Sequence, residues 1–337
     1  MLRMKNMAWG KQVITQNDVA ARAGVTVTTV SRMLNGHRNV SLKTRKKIEQ
    51  AMKDLNYRPN ELARSLSLQR STFIGLIVPS AKNPFFSMIV EKTERYAFEK
   101  GYKLLLCNSN HEKAKEIEYL SMLRASKVAG IILATRTQDV HEFSDIDAPL
   151  VSIDRIISTS IPYICSDNYQ GGVMAAEHLI DRGCRKLAHI SGSFYLDLHA
   201  NKRFDGFRDA CLANKVPYYL LDANEEQFIS MKYSEIAGHF LEHHPDVDGV
   251  FTSNDIIALQ ILQECARRKI QVPQDLKVVG YDDIEVASLA SPSITTIRQD
   301  VDSICRSAIS FIDAQCKGKP APIGSVFPVT LMVREST

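Results

Sequence analysis

At 337 residues, with 45% hydrophobic content and a net charge of +4, the chain can build one small and one large domain, or three modest ones. Its seven cysteines are scattered, odd in number and without a C-x-x-C pair, which argues against a disulfide or zinc framework and for buried thiols in a reducing compartment. The N-terminus MLRMKNMAWGKQ lacks the apolar run of a signal peptide and no stretch approaches a membrane span, so a soluble, cytoplasmic protein with no membrane partner is expected.

The charge is divided in two. Through Arg70 there are 14 Lys+Arg against 4 Asp+Glu, a net of +10; the remaining residues hold 28 basic and 34 acidic side chains, a net of −6. A concentrated positive field suits a polyanionic partner. The basic segment is no low-complexity tail, because it carries helical periodicity.

Thr15, with Asp18 three residues on, makes an imperfect capping box before a short helix whose apolar face is Val19, Ala20 and Ala23. Gly24 ends it, since glycine tolerates the backbone that such a turn needs. Thr26 caps a second helix in which Val30 and Leu34 turn inward. Two short helices around a glycine turn have the pattern of a DNA-binding helix-turn-helix. The outward face carries Val27, Thr28, Thr29, Ser31 and Arg32, side chains suited to base edges, thymine methyls and phosphates. Alone the pattern is weak evidence; the coincident charge strengthens it. After the loop NGHRNV, Ser41 caps a third helix from Leu42 to about Asn56, with Ile48, Ala51 and Leu55 on one face. Lys43, Arg45, Lys46 and Lys47 crowd its first turns against the helix dipole, a placement that phosphate contact explains. Tyr57-Arg58-Pro59 ends this helix. Asn60 can cap ELARSLSL, a segment too short to be a stable helix by itself.

From Thr72 strands and helices alternate. FIGLIVP reads as a buried parallel strand. Strands YKLLLCN, VAGIILA, APLVSID and KLAHIS follow, then 218–221, GVFTSND and KVVGYDD, with a single last strand near 325–333. Helices are expected to Lys100, over about 113–126, and at 170–182, 231–243, 256–268 and 301–317. This alternation predicts two Rossmann-like lobes. Ligands of such sheets bind at strand carboxyl ends, which here carry Asn83, Asp154-Arg155, Asp167-Asn168, Asn254-Asp255 and Asp282-Asp283.

TQNDVAARAGVTVTTVSRMLNG, YRPNELARSL, IGLIVPSAKNPFF, SNDIIALQIL, VPQDLKVVGYDDI, LASPSITTIRQ and VREST resemble the LacI/GalR family of bacterial transcription repressors, from about residue 14 to the end. The resemblance implies an all-α helix-turn-helix headpiece (14–58), a hinge helix and linker (59–71), and an α/β core of two Rossmann-like lobes (72–337), similar to periplasmic sugar-binding proteins and crossed three times by the chain. It implies operator DNA as partner, with Thr26, Val27, Thr28, Thr29 and Arg32 at the major groove and Asn35 and Asn39 on the backbone. Asn60, Ala63 and Arg64 would serve the hinge at the minor groove, with Leu66 as an apolar wedge. In the core, Asn83, Phe85, Phe86, Asp154, Arg155, Arg203, Asn254, Asp282 and Gln299 fall where ribose-binding proteins hold their sugar. Sucrose- and fructose-responsive members share the Asp-Arg pair and the SDNYQGG pattern. A small sugar effector, ribose or a related pentose first, and a homodimer without a coiled-coil tail are therefore expected.

An enzyme is the main rival. No G-x-G-x-x-G, Walker loop, G-x-S-x-G or H-E-x-x-H occurs, and no cofactor or metal site is expected. A periplasmic carrier conflicts with the headpiece. A catabolite-control-type core that binds a phosphocarrier protein stays open.

Overall fold

The computed structural model describes residues 14–34, 39–58, 71–135, 148–158, 160–192, 194 and 198–337. The chain divides into two compact units, residues 1–71 and 72–337.

In the first unit, α1 (Gln16–Ala23), α2 (Val27–Leu34) and α3 (Leu42–Asp54) share one apolar core built on Val19, Val30, Met33, Ile48 and Ala51. Local capping sets their starts. Thr15 N donates to the Asp18 carboxylate at 2.8 Å, Thr26 Oγ1 accepts from Thr29 N at 3.3 Å, and Ser41 Oγ accepts from Thr44 N at 3.2 Å. Gly24 sits at φ +67, where a Cβ would be strained. Met33 takes the buried place expected of Leu34, which is half-buried beside it. α3 ends at Asp54, earlier than expected: its carboxylate accepts from Arg22 of α1 at 2.9 Å and from Gln50 at 2.8 Å, and Asn56 turns to φ +48.

The second unit has two lobes. β1 (Phe73–Val78), α4 (Pro84–Glu99), β2 (Lys103–Asn108), α5 (Lys113–Ala125), β3 (Gly130–Leu133), β4 (Leu150–Ile153) and β5 (Tyr163–Ser166) begin the first lobe. The second lobe takes α6 (Asn168–Asp181), β6 (Leu187–Ser191), α7 (Lys202–Ala213), β7 (Tyr218–Asp222), α8 (Glu225–Ser230) and α9 (Ser234–His243). It continues through β8 (Gly249–Thr252), α10 (Asp255–Arg268), β9 (Lys277–Asp282), α11 (Glu285–Leu289) and β10 (Thr295–Gln299). α12 (Val301–Cys316) and β11 (Gly324–Phe327) return to the first lobe, and β12 (Val329–Met332) to the second.

The two six-stranded sheets have corresponding orders, β11-β5-β4-β3-β1-β2 and β12-β10-β9-β8-β6-β7. All pairs are parallel except β10 with β12. Apolar clusters cover both faces of each sheet, so β1, β3, β4, β6 and β8 are buried along almost their whole length, whereas β2 forms an exposed edge.

Three expectations change. The last strand is two strands, because Pro328 has no N–H to continue a ladder and the chain changes lobe there. The helix expected over 231–243 is α9, which starts only at Ser234; an unanticipated short helix, α8, precedes it, and Met231 at φ +56 lies between the two. The helix expected from 170 starts at Asn168, capped by Asp167, whose carboxylate accepts from Gln170 N at 3.0 Å.

Candidate functional site

The outward face of α2 is open to solvent. Val27, Thr28 and Arg32 are exposed, while Val30 and Met33 of the same helix face the core. Thr26 and Thr29 are joined by their hydroxyls at 2.9 Å, so both take part in the cap as well as bordering the face. Asn39 is exposed in the turn before α3, and Lys43, Lys46 and Lys47 are exposed on its first turns. Asn35, Asn60, Ala63, Arg64 and Leu66 lie outside the described residues.

In the core, strand ends of both lobes converge on one cleft that opens to solvent. The first lobe lines it with Asn83, Phe85, His111 and Asp154; the second adds Arg203, Phe228, Asn254 and Asp282. The His111 and Phe228 rings meet edge to face across it, 6.3 Å apart.

Backbone geometry aims these groups. Asn83 caps α4 and Asn254 caps α10: each side-chain oxygen accepts a helix N–H at 3.0 Å, from Phe85 N and Ile257 N respectively, which leaves each amide NH2 as its donor toward the cleft. Asp154 and Asp282 leave their strands at φ +57 and +102, a region that Asp enters more readily than most residues.

Behind the lining lies a buried polar network. The Arg203 side chain, 5% exposed as a residue, gives Nε to Asn168 Oδ1 at 2.7 Å and NH1 to Ser253 O at 2.5 Å, with Asp282 Oδ1 3.7 Å away. Its guanidinium stacks 3.6 Å above the Tyr281 ring. Gln299 Nε2 donates to Asp282 Oδ1 at 2.7 Å, and Ser166 Oγ donates to Gln299 Oε1 at 2.6 Å. Burial lowers the pKa of His199, favouring a neutral ring whose Nδ1 accepts from Asn168 Nδ2 at 3.0 Å. Burial also raises Tyr281, so its hydroxyl stays protonated and donates to Asn168 Oδ1 at 3.2 Å. Asp255, first residue of α10 and 1% exposed, is raised well above the usual carboxylate range by burial and then by nearby Asp282.

Of the nine core positions singled out from sequence, Asn83, Phe85, Asp154, Arg203, Asn254 and Asp282 line the cleft. Phe86 is instead buried in the first lobe's core, its ring edge-on to Phe85 at 5.4 Å. Arg155 is half-buried beside the cleft without lining it, and Gln299 orients Asp282 from behind. Sequence reasoning missed Ser80, Ser191, Gly192 and Ser253, which the strand-end rule could have supplied. It also missed His111, Phe228, Met231 and Tyr233, which no local pattern marks. Among the described residues no cluster of three His, Cys, Asp or Glu could hold a metal ion, and no helix is long and apolar enough to cross a membrane.

A helix-turn-helix unit followed by a two-lobed, ligand-binding core defines a class of DNA-binding transcription regulators. Residues 15–60 match the model of bacterial regulatory proteins of the lacI family, and residues 176–337 match a periplasmic binding protein-like domain. The ribose operon repressor of Halalkalibacterium halodurans is 34% identical over 96% of this chain and 97% of its own length; the sucrose operon repressor of Pediococcus pentosaceus is 35% identical over 89% and 93%. Among solved structures, a periplasmic binding protein/LacI transcriptional regulator from Alkaliphilus metalliredigens QYMF complexed with D-xylulofuranose is 34% identical, with a TM-score of 0.71 over 79% of this chain and 99% of that one. The lac repressor dimer bound to operator is 27% identical, with a TM-score of 0.84 over 97% of this chain and 99% of that one. The chain belongs to the lacI family of bacterial regulatory proteins, and is a transcription regulator rather than an enzyme.

Proposed function

We propose that this chain represses a sugar-utilisation operon as a homodimer and leaves its operator when a small neutral sugar, ribose or a close pentose, occupies the cleft. The observation that carries the reading is the division of the lining between lobes. Asn83, Phe85 and Asp154 come from one side, and Arg203, Asn254 and Asp282 from the other. A sugar offers apolar ring faces for Phe85 and Phe228, and a belt of hydroxyls for two carboxylates, two amide donors and a guanidinium. Two acidic groups around one arginine disfavour a phosphorylated sugar, so ribose 5-phosphate should bind less well than ribose. A ligand that grips both lobes favours one lobe angle, and shifts operator affinity by its differential affinity for the two states.

The DNA-reading residues follow the family pattern: Val27, Thr28 and Arg32 on the bases, helped by Thr26 and Thr29, with Asn35 and Asn39 on the backbone. The headpiece spans 14–58 and the hinge 59–71, where Asn60, Ala63, Arg64 and Leu66 serve the minor groove. Two headpieces read two half-sites, which requires a dimer, the form in which the lac repressor is bound to operator. The similarity to sucrose operon repressors supports a second reading, in which the effector is sucrose or fructose. Calorimetry of the full chain with ribose, xylulose, fructose, sucrose and ribose 5-phosphate, followed by operator titration with each ligand that binds, decides between them. Binding of fructose or sucrose without any pentose removes the pentose assignment. Tighter operator binding with sugar reverses the direction.

A further inference from the structure

The motif SDNYQGG, residues 166–172, lies where the chain first passes from one lobe to the other. Ser166 reaches Gln299 and Asp167 caps α6. That leaves Asn168, the first residue of α6, 1% exposed and absent from the cleft lining. Its amide makes four hydrogen bonds. Oδ1 accepts from Arg203 Nε at 2.7 Å and from Tyr281 OH at 3.2 Å; Nδ2 donates to Asp154 Oδ1 at 3.3 Å and meets His199 Nδ1 at 3.0 Å. Two lone pairs and two N–H groups are all an asparagine side chain has, so its capacity is full. Its orientation is forced as well. A guanidinium only donates and a carboxylate only accepts, so the oxygen must face Arg203 and the nitrogen Asp154.

We infer that Asn168 is a positioning residue that locks the ligand-gripping groups of the two lobes to each other: Asp154 of the first, Arg203 of the second. This rests on the sugar reading of the cleft. Neither group holds its pose by itself. Asp154 leaves its strand at positive φ, and Arg203 is a long side chain held by Asn168, Ser253 O and the face of Tyr281. The motif's glycines make room for the arrangement. A Cβ at Gly171 would come within 2.7 Å of the Tyr281 ring, and one at Gly172 would run into the Arg203 carbonyl. The α6 backbone therefore lies close enough to both residues for the Asn168 amide to reach them. A ligand entering the cleft meets an acceptor from one lobe and a donor from the other already set at fixed separation, which lowers the ordering cost of binding.

Asn168→Asp keeps the shape and both acceptor bonds but loses both donors, and places a carboxylate against Asp154. In the full-length dimer, sugar affinity by calorimetry should fall by about tenfold or more. A purely structural role is separated by a cycle with Asp154→Asn, which restores a donor–acceptor pair between 154 and 168 with its polarity reversed. Adding Asn168→Asp to Asp154→Asn should then cost less than about threefold, whereas independent effects would multiply. Tyr281→Phe keeps the stack under Arg203, removes one bond from Asn168, and should weaken sugar binding by about two- to tenfold; it carries the test if Asn168→Asp does not fold. Wild-type sugar affinity in Asn168→Asp, or costs that multiply in the cycle, overturn the positioning role and leave the sugar reading standing. A wild-type protein that binds no sugar of the panel overturns both.

Discussion

Asp282→Ala tests the cleft most directly, because its cost follows from named contacts. Asp282 is 8% exposed; its carboxylate accepts from Gln299 Nε2 at 2.7 Å and lies 3.7 Å from Arg203 NH1. Truncation leaves a buried guanidinium without that anion and a buried amide without that acceptor. Removing one partner of a buried pair costs about 3–5 kcal/mol. At 3.7 Å the pair makes no direct hydrogen bond, and Arg203 keeps Asn168 and Ser253, so about 2–3 kcal/mol is expected here. For a core of this size that lowers the thermal midpoint by about 4–12 °C. Sugar affinity should fall further: a hydroxyl bonded to a carboxylate contributes about 1.5–3 kcal/mol, or about 10–150-fold. Asp282→Asn separates the two effects, since its Oδ1 can still accept from Gln299. It should recover at least half of the lost stability while sugar affinity stays low. Scanning calorimetry reads the first quantity and titration the second. A truncated variant as stable as wild type would show that Arg203 does not depend on Asp282. Unchanged sugar affinity in both variants would remove this carboxylate from the binding site.

Three further outcomes follow from the same structure. Arg32→Ala and Thr28→Ala should each cost about 1–3 kcal/mol on the operator and relax base preference, whereas Lys46→Ala should weaken all sequences alike and flatten the salt slope by about one unit; identical salt slopes for all three would contradict the assignment. Asp255 is raised in the folded state, so its stabilising contribution is complete below its ordinary value of 3.8 and is lost as pH rises through the folded value. As pH rises above about 4, wild type should therefore lose stability relative to Asp255→Asn in urea titrations; parallel profiles would show that Asp255 titrates normally. Sedimentation at micromolar concentration should give a dimer, and a stable tetramer would count against the proposed assembly.

The headpiece was legible because its determinants are local. Thr15, Thr26 and Ser41 lie immediately before the helices they start, and Gly24 declares its turn. The lobes were legible for a similar reason: buried parallel strands are continuous apolar runs, and polar residues at their carboxyl ends mark the cleft. The failures are those of distance in sequence. Phe85 and Phe86 are adjacent and chemically identical and both pack into the first lobe's core, yet only Phe85 also lines the cleft. Leu34 and Met33 differ by one position, and three-helix packing selects Met33. Phe228 and Tyr233 reach the cleft from either side of Met231, where the chain turns at φ +56 between α8 and α9, and no local pattern marks that turn. Pro328 alone could have announced that the last strand is two.

The same long-range placement explains how a ligand in the cleft can act on lobe geometry. The first crossing passes through Ser166 and Asp167, the second through Gln299, and the third between Phe327 and Val329. These crossings are tied together: Ser166 Oγ donates to Gln299 at 2.6 Å, and Asp167 N donates to Phe327 O at 2.8 Å. Gln299 in turn holds Asp282, and Asn168, directly after Asp167, holds Asp154 and Arg203. Every charged group lining the cleft that we assign to the ligand is thus one hydrogen bond from a residue at a crossing. Coupling between the cleft and the lobe angle needs no extended relay through the sheets. A ligand contact on Asp282 is therefore one bond from the second crossing, and contacts on Asp154 or Arg203 are one bond from Asn168 beside the first.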